Sequence, residues 1–242
     1  MCLNNIKMKK NIDDLIVIIQ ARTGSSRTPR KMVNDFCGTT LTDIGIQKIL
    51  NSKIIPKKNF YLTVGDDELI DIGNKYGVNI FKRSEKSVKE NSDVKVIYEW
   101  HDKLDYKYWI KINACQPLLR TETIDRFVEE FLNSDSEGMF SVLKKKNYYW
   151  NKDGEMITPW PEGLTIMNTG VVEHTYEACH SLFAGSKQQL INGVWTGSFQ
   201  TKSDPELFEI TSEVEISDID YPWEFKLCEI LYQKYLDKEL EL

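Results

Sequence analysis

What this 242-residue chain lacks narrows it first. The early apolar run, Leu15-Ile16-Val17-Ile18-Ile19, is far shorter than the roughly 20 residues that a membrane helix needs, and too short for a signal-peptide core. Residues 1–14 carry lysines but no apolar stretch, so a cytoplasmic protein without a membrane partner is expected. The cysteines, Cys2, Cys37, Cys115, Cys179 and Cys228, are odd in number, scattered and free of any CxxC pair. That argues against a disulfide framework or a zinc site. Positive charge does not dominate: the net charge is −6. A general nucleic-acid partner is therefore not expected, because phosphate backbones require clustered Lys and Arg. Gly-Lys-Ser/Thr and GxGxxG are both absent, which excludes a Walker loop and a dinucleotide loop. Arginine is scarce, with none after Arg126, so each one invites a question about bidentate phosphate or carboxylate binding.

What is present is 41% hydrophobic and 11% aromatic, enough for one α/β domain with a subsidiary lobe. The β-branched run at 15–19 reads as a central strand buried on both faces. Further strands are expected at 60–64, 78–81, 108–112 and 139–143. Helices are expected at 42–50 with Thr42 as cap, at 68–76 ended by Gly77, at 92–104, at 121–132 and at 222–238. Alternation of this kind predicts a Rossmann-like, mostly parallel sheet with helices on both faces. Ligands of such sheets sit beyond the carboxyl ends of the strands, so the loops after the first and fourth strands become the places to look. From 147 to 200 the character changes: Tyr148, Tyr149, Trp150, Trp160 and Trp195 crowd together with prolines and glycines. This stretch is expected to be an irregular, β-rich insertion within a single domain covering 1–242. It serves either as a lid and dimer contact or as a small sheet packed on its own domain.

The most informative loop is Gln20-Ala21-Arg22-Thr23-Gly24-Ser25-Ser26-Arg27-Thr28-Pro29-Arg30-Lys31. Gly24 permits a tight turn, Ser25 and Ser26 supply donors, and Arg22, Arg27, Arg30 and Lys31 supply charge. Exposed N–H groups beside cations make a triphosphate cradle, although composition alone also allows a solvated basic loop. Asp218-Ile219-Asp220 is the second constellation. Residues two apart on an extended segment share a face, so both carboxylates can reach one hard cation; the alternative is a pair of turn or capping aspartates before Pro222.

The pattern Arg-x-Gly-Ser-x-Arg-x-Pro-x-Lys behind an apolar strand resembles the nucleotide-binding motif of the CMP-sialic acid and CMP-Kdo synthetases, which spore-coat polysaccharide nucleotidyltransferases share in a close version. Other landmarks follow in the same order: Val64 to Ile70, Phe81-Lys82-Arg83-Ser84, Asn113 to Arg120, and Ile216 to Phe225. The resemblance implies a cytidylyltransferase that moves CMP from CTP to an acidic sugar with Mg2+, commonly as a dimer. It implies that Ala21, Arg22, Gly24, Ser25, Ser26, Arg27 and Lys31 surround the triphosphate, with Arg83 at the cytosine. It implies Asp218 and Asp220 on the metal, and Asn113, Gln116 and Asn168 at the acceptor. Arg22, Lys31 and Asp220 would carry the catalysis. Cys115 stands where the Kdo-type enzymes have a metal-binding aspartate, and the arginines that grip the acceptor in the sialic acid branch have no counterpart here.

Two other readings compete. A metal-dependent glycosyltransferase also combines an α/β sheet with an Asp-x-Asp pair, but usually in mid-chain. A catalytically silent relative could bind nucleotide without turnover. His174 and His180, six apart, would not share a face on a helix and make a poor metal pair. Cys115 has no histidine near it in sequence and reads as a structural thiol.

Overall fold

The computed structural model describes residues 9–90 and 92–242. Its centre is a seven-stranded sheet in the order β3-β2-β1-β4-β6-β5-β7. The strands are β1 (Leu15–Gln20), β2 (Phe60–Val64), β3 (Asn79–Lys82), β4 (Tyr108–Ile112), β5 (Met139–Lys145), β6 (Thr175–Ser186) and β7 (Glu206–Ile210). All neighbours run parallel except β6, which is antiparallel to both β4 and β5. The helices are α1 (Leu41–Leu50), α2 (Asp67–Tyr76), α3 (Glu85–Lys89), α4 (Val94–Ile97), α5 (Thr121–Asn133), α6 (Lys187–Ile191) and α7 (Pro222–Leu236).

The β1 run works as its sequence suggests. Leu15, Val17 and Ile19 join a large cluster with residues of α1, α2, α5 and α7, while Ile16 and Ile18 join an aromatic cluster on the other face. A strand that is apolar on both sides belongs in the middle of a sheet, where helices or loops cover both faces. The second cluster is built on Trp100 and Trp109, both fully buried. Gly185 of β6 makes room for Trp109: a Cβ there would lie 2.7 Å from the indole ring. Truncating such a core aromatic to alanine costs about 3–5 kcal/mol.

Several local expectations shift. The helix expected at 92–104 breaks into α4 and a 3-10 turn at Glu99–Asp102, because Tyr98 leaves the helical region at φ −104° and ψ 48°. There it turns its ring into the aromatic cluster. Thr40, not Thr42, caps α1: its side chain accepts from the Asp43 amide, while the buried Thr42 hydroxyl donates to the Met32 carbonyl. Gly77 ends α2 with φ 59°, a left-handed cap that glycine adopts without strain. Within 147–200, residues Thr175–Ser186 are not irregular but supply β6, between β4 and β5 of the main sheet. This strand escaped the sequence because Glu173, His174, Glu177 and His180 break any apolar alternation at its outer end. Its last four residues, Phe183 to Ser186, are buried. The protruding part is 147–174.

Candidate active site

The loop after β1 is held in place by its neighbours on the sheet. Ala21 donates its amide to the Thr63 carbonyl at 3.2 Å, extending the β1–β2 ladder by one residue. Thr23 binds Asp66 twice, amide to Oδ2 at 3.1 Å and hydroxyl to Oδ1 at 2.6 Å, which fastens the loop to the turn after β2. Beyond it Gly24 is open, with nothing within 4 Å of a notional Cβ. Ser25 folds back to accept from the Thr28 amide, and Ser26 is exposed. The resulting backbone is fixed at its base and free at its tip, where a phosphate can approach.

The cations separate into three groups. Arg22 donates to the Val88 carbonyl at 2.7 Å and lies beside Arg83. Arg83 is buried, with Nε on the Ser87 hydroxyl at 3.0 Å and a second guanidinium nitrogen on the Ser87 carbonyl. Burial, and then the charge of Arg22, push its pKa down to about 10. These two arginines, with Gln20, Ala21, Val88, Glu90 and Ile97, line a cavity of about 240 Å3 at the ends of β1 and β3. Arg27 and Lys31 turn the other way. Arg27 pairs with Asp220 at 2.8 Å and lies over the Tyr221 ring. Lys31 is buried, donates to the Ile219 carbonyl and approaches Asp220 Oδ1 at 3.3 Å. Burial alone would lower its pKa, but Cys115, Asp218 and Asp220 more than compensate and raise it. Arg30 departs from the expected cluster: at φ 61° its side chain swings out to chelate Glu68 of α2 through both carboxylate oxygens at 2.8 Å.

The carboxylate pair closes the site from the far end of the chain. Thr28 donates to the Asp220 carbonyl at 2.8 Å, and the Glu224 carboxylate accepts the Asp220 and Tyr221 amides at 2.7 Å each. That network ties the first loop to the start of α7. Asp218 is a different kind of acid. Burial pushes its pKa up to about 6 despite the nearby Lys31 ammonium. Its Oδ2 accepts from Asn113 at 3.4 Å, while its Oδ1 is buried without a partner. An orphaned buried carboxylate oxygen is costly unless something fills the gap. A hard divalent cation suits that oxygen and the Asp220 carboxylate, with phosphate oxygens and water completing its shell. Among the described residues no group of three or more His, Cys, Asp or Glu converges to hold a metal ion.

At the end of β4 Asn113 is a hub. Its amide donates to the Ser181 carbonyl at 2.9 Å, its side-chain nitrogen to the His180 carbonyl at 3.1 Å, and its side-chain oxygen accepts from the Cys115 amide at 3.0 Å. It links β4, β6 and Asp218. Gln116, expected at the acceptor, is 1% exposed and donates to the Cys179 carbonyl at 2.9 Å, while its side-chain oxygen is buried without a partner. Asn168 caps the short turn Thr169–Val171, and it hydrogen-bonds to Tyr148 and Gly170. Cys115 sits buried against Lys31 with its pKa raised by burial, the environment of a structural thiol rather than a nucleophile.

Sequence reasoning missed several members. Asp66 and Glu224 position the loop and the carboxylate pair, yet each looks like an ordinary surface acid. His180 and His174 prove to lie in and just before a strand, not on a helix. His180 sits on a bulge where two steps along β5, from Phe140 to Val142, face five along β6, from Ala178 to Phe183. Its φ of 53° lies in the left-handed region. Bulges re-aim residues beside functional sites, but no pattern in the strand's sequence marks this one.

Comparison with known proteins agrees with this geometry. The sequence model of the cytidylyltransferase family matches residues 16–171, which hold the whole loop, Arg83 and Asn113. A pseudaminic acid cytidylyltransferase of Campylobacter jejuni is 24% identical over 230 residues, 90% of this chain and 96% of the relative. A spore coat polysaccharide biosynthesis protein of Bacillus subtilis is 27% identical over about half of each chain, 52% and 53%. In three dimensions the chain is similar to a CMP:2-keto-3-deoxy-manno-octonic acid synthetase solved with CTP. The TM-score is 0.67 and the identity 14%, over 92% of this chain and 99% of that one. A cytidylyltransferase of Leptospira borgpetersenii gives 0.63 at 16% identity, covering 94% and 90%.

Proposed function

The chain belongs to the cytidylyltransferase family, and from that premise we propose that it transfers CMP from CTP to a hydroxyl of an acidic sugar, releasing pyrophosphate. The observation that carries this reading is the convergence of three elements. These are a cation-bearing loop behind β1, the buried Arg83 beside the half-buried Arg22 at the base-sized cavity, and a carboxylate pair brought from residues 218–220 beside Lys31 and Arg27. The similarity to a pseudaminic acid cytidylyltransferase supports an acidic sugar as acceptor.

The reaction is an in-line displacement. The acceptor oxygen forms a bond to the α-phosphorus and loses its proton, the bond from that phosphorus to the β-phosphate's bridging oxygen breaks, and pyrophosphate departs. The amides of Gly24 and Ser26 hold phosphate oxygens, the Ser25 amide being engaged by the Thr23 carbonyl at 2.9 Å, and Arg22, Arg27 and Lys31 neutralise the charge that builds on them. Arg83 and Arg22 hold the cytosine side by hydrogen bonding and shape. Asp218 and Asp220 would hold Mg2+, which when bound supplies charge neutralisation and orients the phosphates.

A homodimer is also proposed. Supporting it, Ile157, Ile166, Met167 and Val171, all apolar, are each more than half exposed within residues 147–174. Light scattering of the purified protein tests it, and a monomer at micromolar concentration would refute it. No helix among the described residues is long and apolar enough to cross a membrane, and the use of CTP places the enzyme, on this reading, in the cytoplasm.

The deciding experiment supplies CTP, Mg2+ and a panel of sugar acids, and follows pyrophosphate and CMP-sugar. Nucleoside diphosphate release from a nucleotide-sugar donor would mark a glycosyltransferase instead. CTP binding by calorimetry without turnover of any acceptor would mark a silent relative.

A further inference from the structure

The acceptor half of the site has a cation that neither the loop motif nor the metal pair accounts for. Lys111 lies on β4 two residues before Asn113, so both project from the same face of the sheet, about 6–7 Å apart along the strand. Its register neighbours are Ile18 on β1 and Phe183 on β6, both apolar. The side chain is half-buried, and among the described residues no carboxylate pairs with it and no hydrogen-bond acceptor takes its protons. Its contacts are the faces of two rings, with the ammonium 4.9 Å from the Phe183 centroid and 5.7 Å from that of Tyr98. A cation over aromatic faces is stabilised by their quadrupoles, but the rings leave its hydrogen-bonding capacity unfilled. At this position an isoleucine would pack better against Ile18 and Phe183, so packing does not explain a lysine.

Beside it is a space to fill. Ser92, Val94, Ile97, Tyr98 and Trp195 enclose a cavity of about 290 Å3. Trp195 donates to the Tyr98 hydroxyl at 3.0 Å and stacks at 4.9 Å on Phe183, so the two rings under Lys111 continue into the cavity wall. Ile97 lines both this cavity and the one between Arg22 and Arg83, which puts the two next to each other along the sheet edge. The Tyr98 ring is shared, lining the cavity and lying under the Lys111 ammonium, so a mostly apolar chamber and an unpaired cation sit to either side of one ring, which fits a small molecule that is apolar over most of one face and anionic at a single point.

We propose that Lys111 is a specificity-determining residue that binds the carboxylate of the sugar-acid acceptor, while the Ile97–Tyr98–Trp195 cavity receives that acceptor's deoxy and acyl carbons. The proposal rests on the acidic-sugar reading above and extends it to a named ion pair. It also answers the absence of any arginine after Arg126: the guanidinium role passes to an ammonium from the sheet, held by aromatic rings instead of acids.

The test compares each of two probe acids, pseudaminic acid and 2-keto-3-deoxy-manno-octonic acid, with its own carboxamide. Turnover is measured with CTP for the wild-type protein, Lys111→Met and Lys111→Arg. Methionine keeps the length and the contact with the rings but removes the charge. The wild-type protein should prefer acid to amide by about tenfold or more, as expected for a charge-assisted contact. Lys111→Met should lose that preference through a raised KM for the acid, with KM for CTP unchanged, and Lys111→Arg should retain it. A preference that survives in Lys111→Met overturns the proposal, as does an equal rise in KM for acid and amide, which would mark a packing role. If Lys111→Met does not fold, the wild-type acid-to-amide ratio and Lys111→Arg decide, and a ratio near one in the wild-type protein overturns it. A wild-type protein that releases pyrophosphate only with acceptors lacking a carboxylate sinks the acidic-sugar reading itself, a result distinct from the others.

Discussion

Around the loop that follows β1, Arg22, Thr23 and Arg30 find their partners on Val88, Asp66 and Glu68, within the first 90 residues of the chain. Around the loop that follows β4, Asn113 reaches Ser181, His180 and Asp218, and Ile219 returns its amide to the Cys115 carbonyl. On the proposed reading the nucleotide half is thus anchored at its base within the first 90 residues, on parallel strands, with Arg27, Thr28 and Lys31 reaching the tail at Ile219 and Asp220, whereas the side around Asn113, apart from its own turn, draws on β6 and that tail. Phosphate binding needs amides and charge on one turn, which a short stretch can encode. An acceptor pocket needs shape, and here shape comes from an antiparallel strand and a distant tail. The two halves meet at Lys31, whose ammonium joins the loop to Ile219 and Asp220.

The comparison can be broken by substitution, and the largest effect is expected at the joint. Lys31→Ala removes a preorganised donor from the transition state, and kcat for pyrophosphate release from CTP should fall by about 100-fold or more. A variant with wild-type turnover would show that the loop does not hold the triphosphate. Next come two variants that should act on opposite halves. Arg83→Met should raise KM for CTP by about tenfold while leaving the acceptor KM alone, and Asn113→Ala should do the reverse. Steady-state kinetics with both substrates varied would expose either variant affecting the wrong half, and such a crossover would erase the division. A smaller effect is expected from Asp218→Asn, which keeps the Asn113 contact but weakens the oxygen set: the Mg2+ concentration for half-maximal rate should rise several-fold. Unchanged metal dependence would remove Asp218 from the site.

The smallest effect concerns stability. Asp43 is buried against desolvation that would raise its pKa, yet Thr40, Lys75 and Tyr76 hydrogen-bond its carboxylate and bring it below the usual value. A carboxyl with a depressed folded pKa contributes stability that is complete above the unfolded value of about 3.9 and is lost as pH falls through the folded pKa. Melting curves between pH 5 and 3 should therefore drop by a few degrees more for the wild-type protein than for Asp43→Asn. Parallel curves would show that this tie between α1 and α2 is not what makes the nucleotide half acid-sensitive.

Much of this was legible in the residues. The run 15–19 declared a central strand because five apolar, mostly β-branched residues can be satisfied only by cover on both faces. Arg22 to Lys31 stood out as a candidate anion site because so much charge is packed on so short a turn. Even there the reading was incomplete: Arg30 points to Glu68, a partner 38 residues away that no local pattern names. Gln116 looked like a ligand contact by position and is instead an interior hydrogen-bond donor, since side-chain direction after a strand depends on the turn that follows. Thr175–Ser186 was hidden because its outer half is polar and exposed while only its inner half is buried.

Most of the order of strands and helices in the first 140 residues, the cation-rich loop after the first strand and the close spacing of Asp218 and Asp220 came from sequence alone, because each depends on periodicity or spacing within about a dozen residues. Which of those groups face one another was settled only by the folded chain. The insertion of β6 between β4 and β5, the bulge that sets His180 and Ser181 on Asn113, and the placing of Lys111 between two aromatic faces all depend on residues far apart along the chain. Their proximity is decided by how the whole core packs, and no local stretch of sequence carries that information.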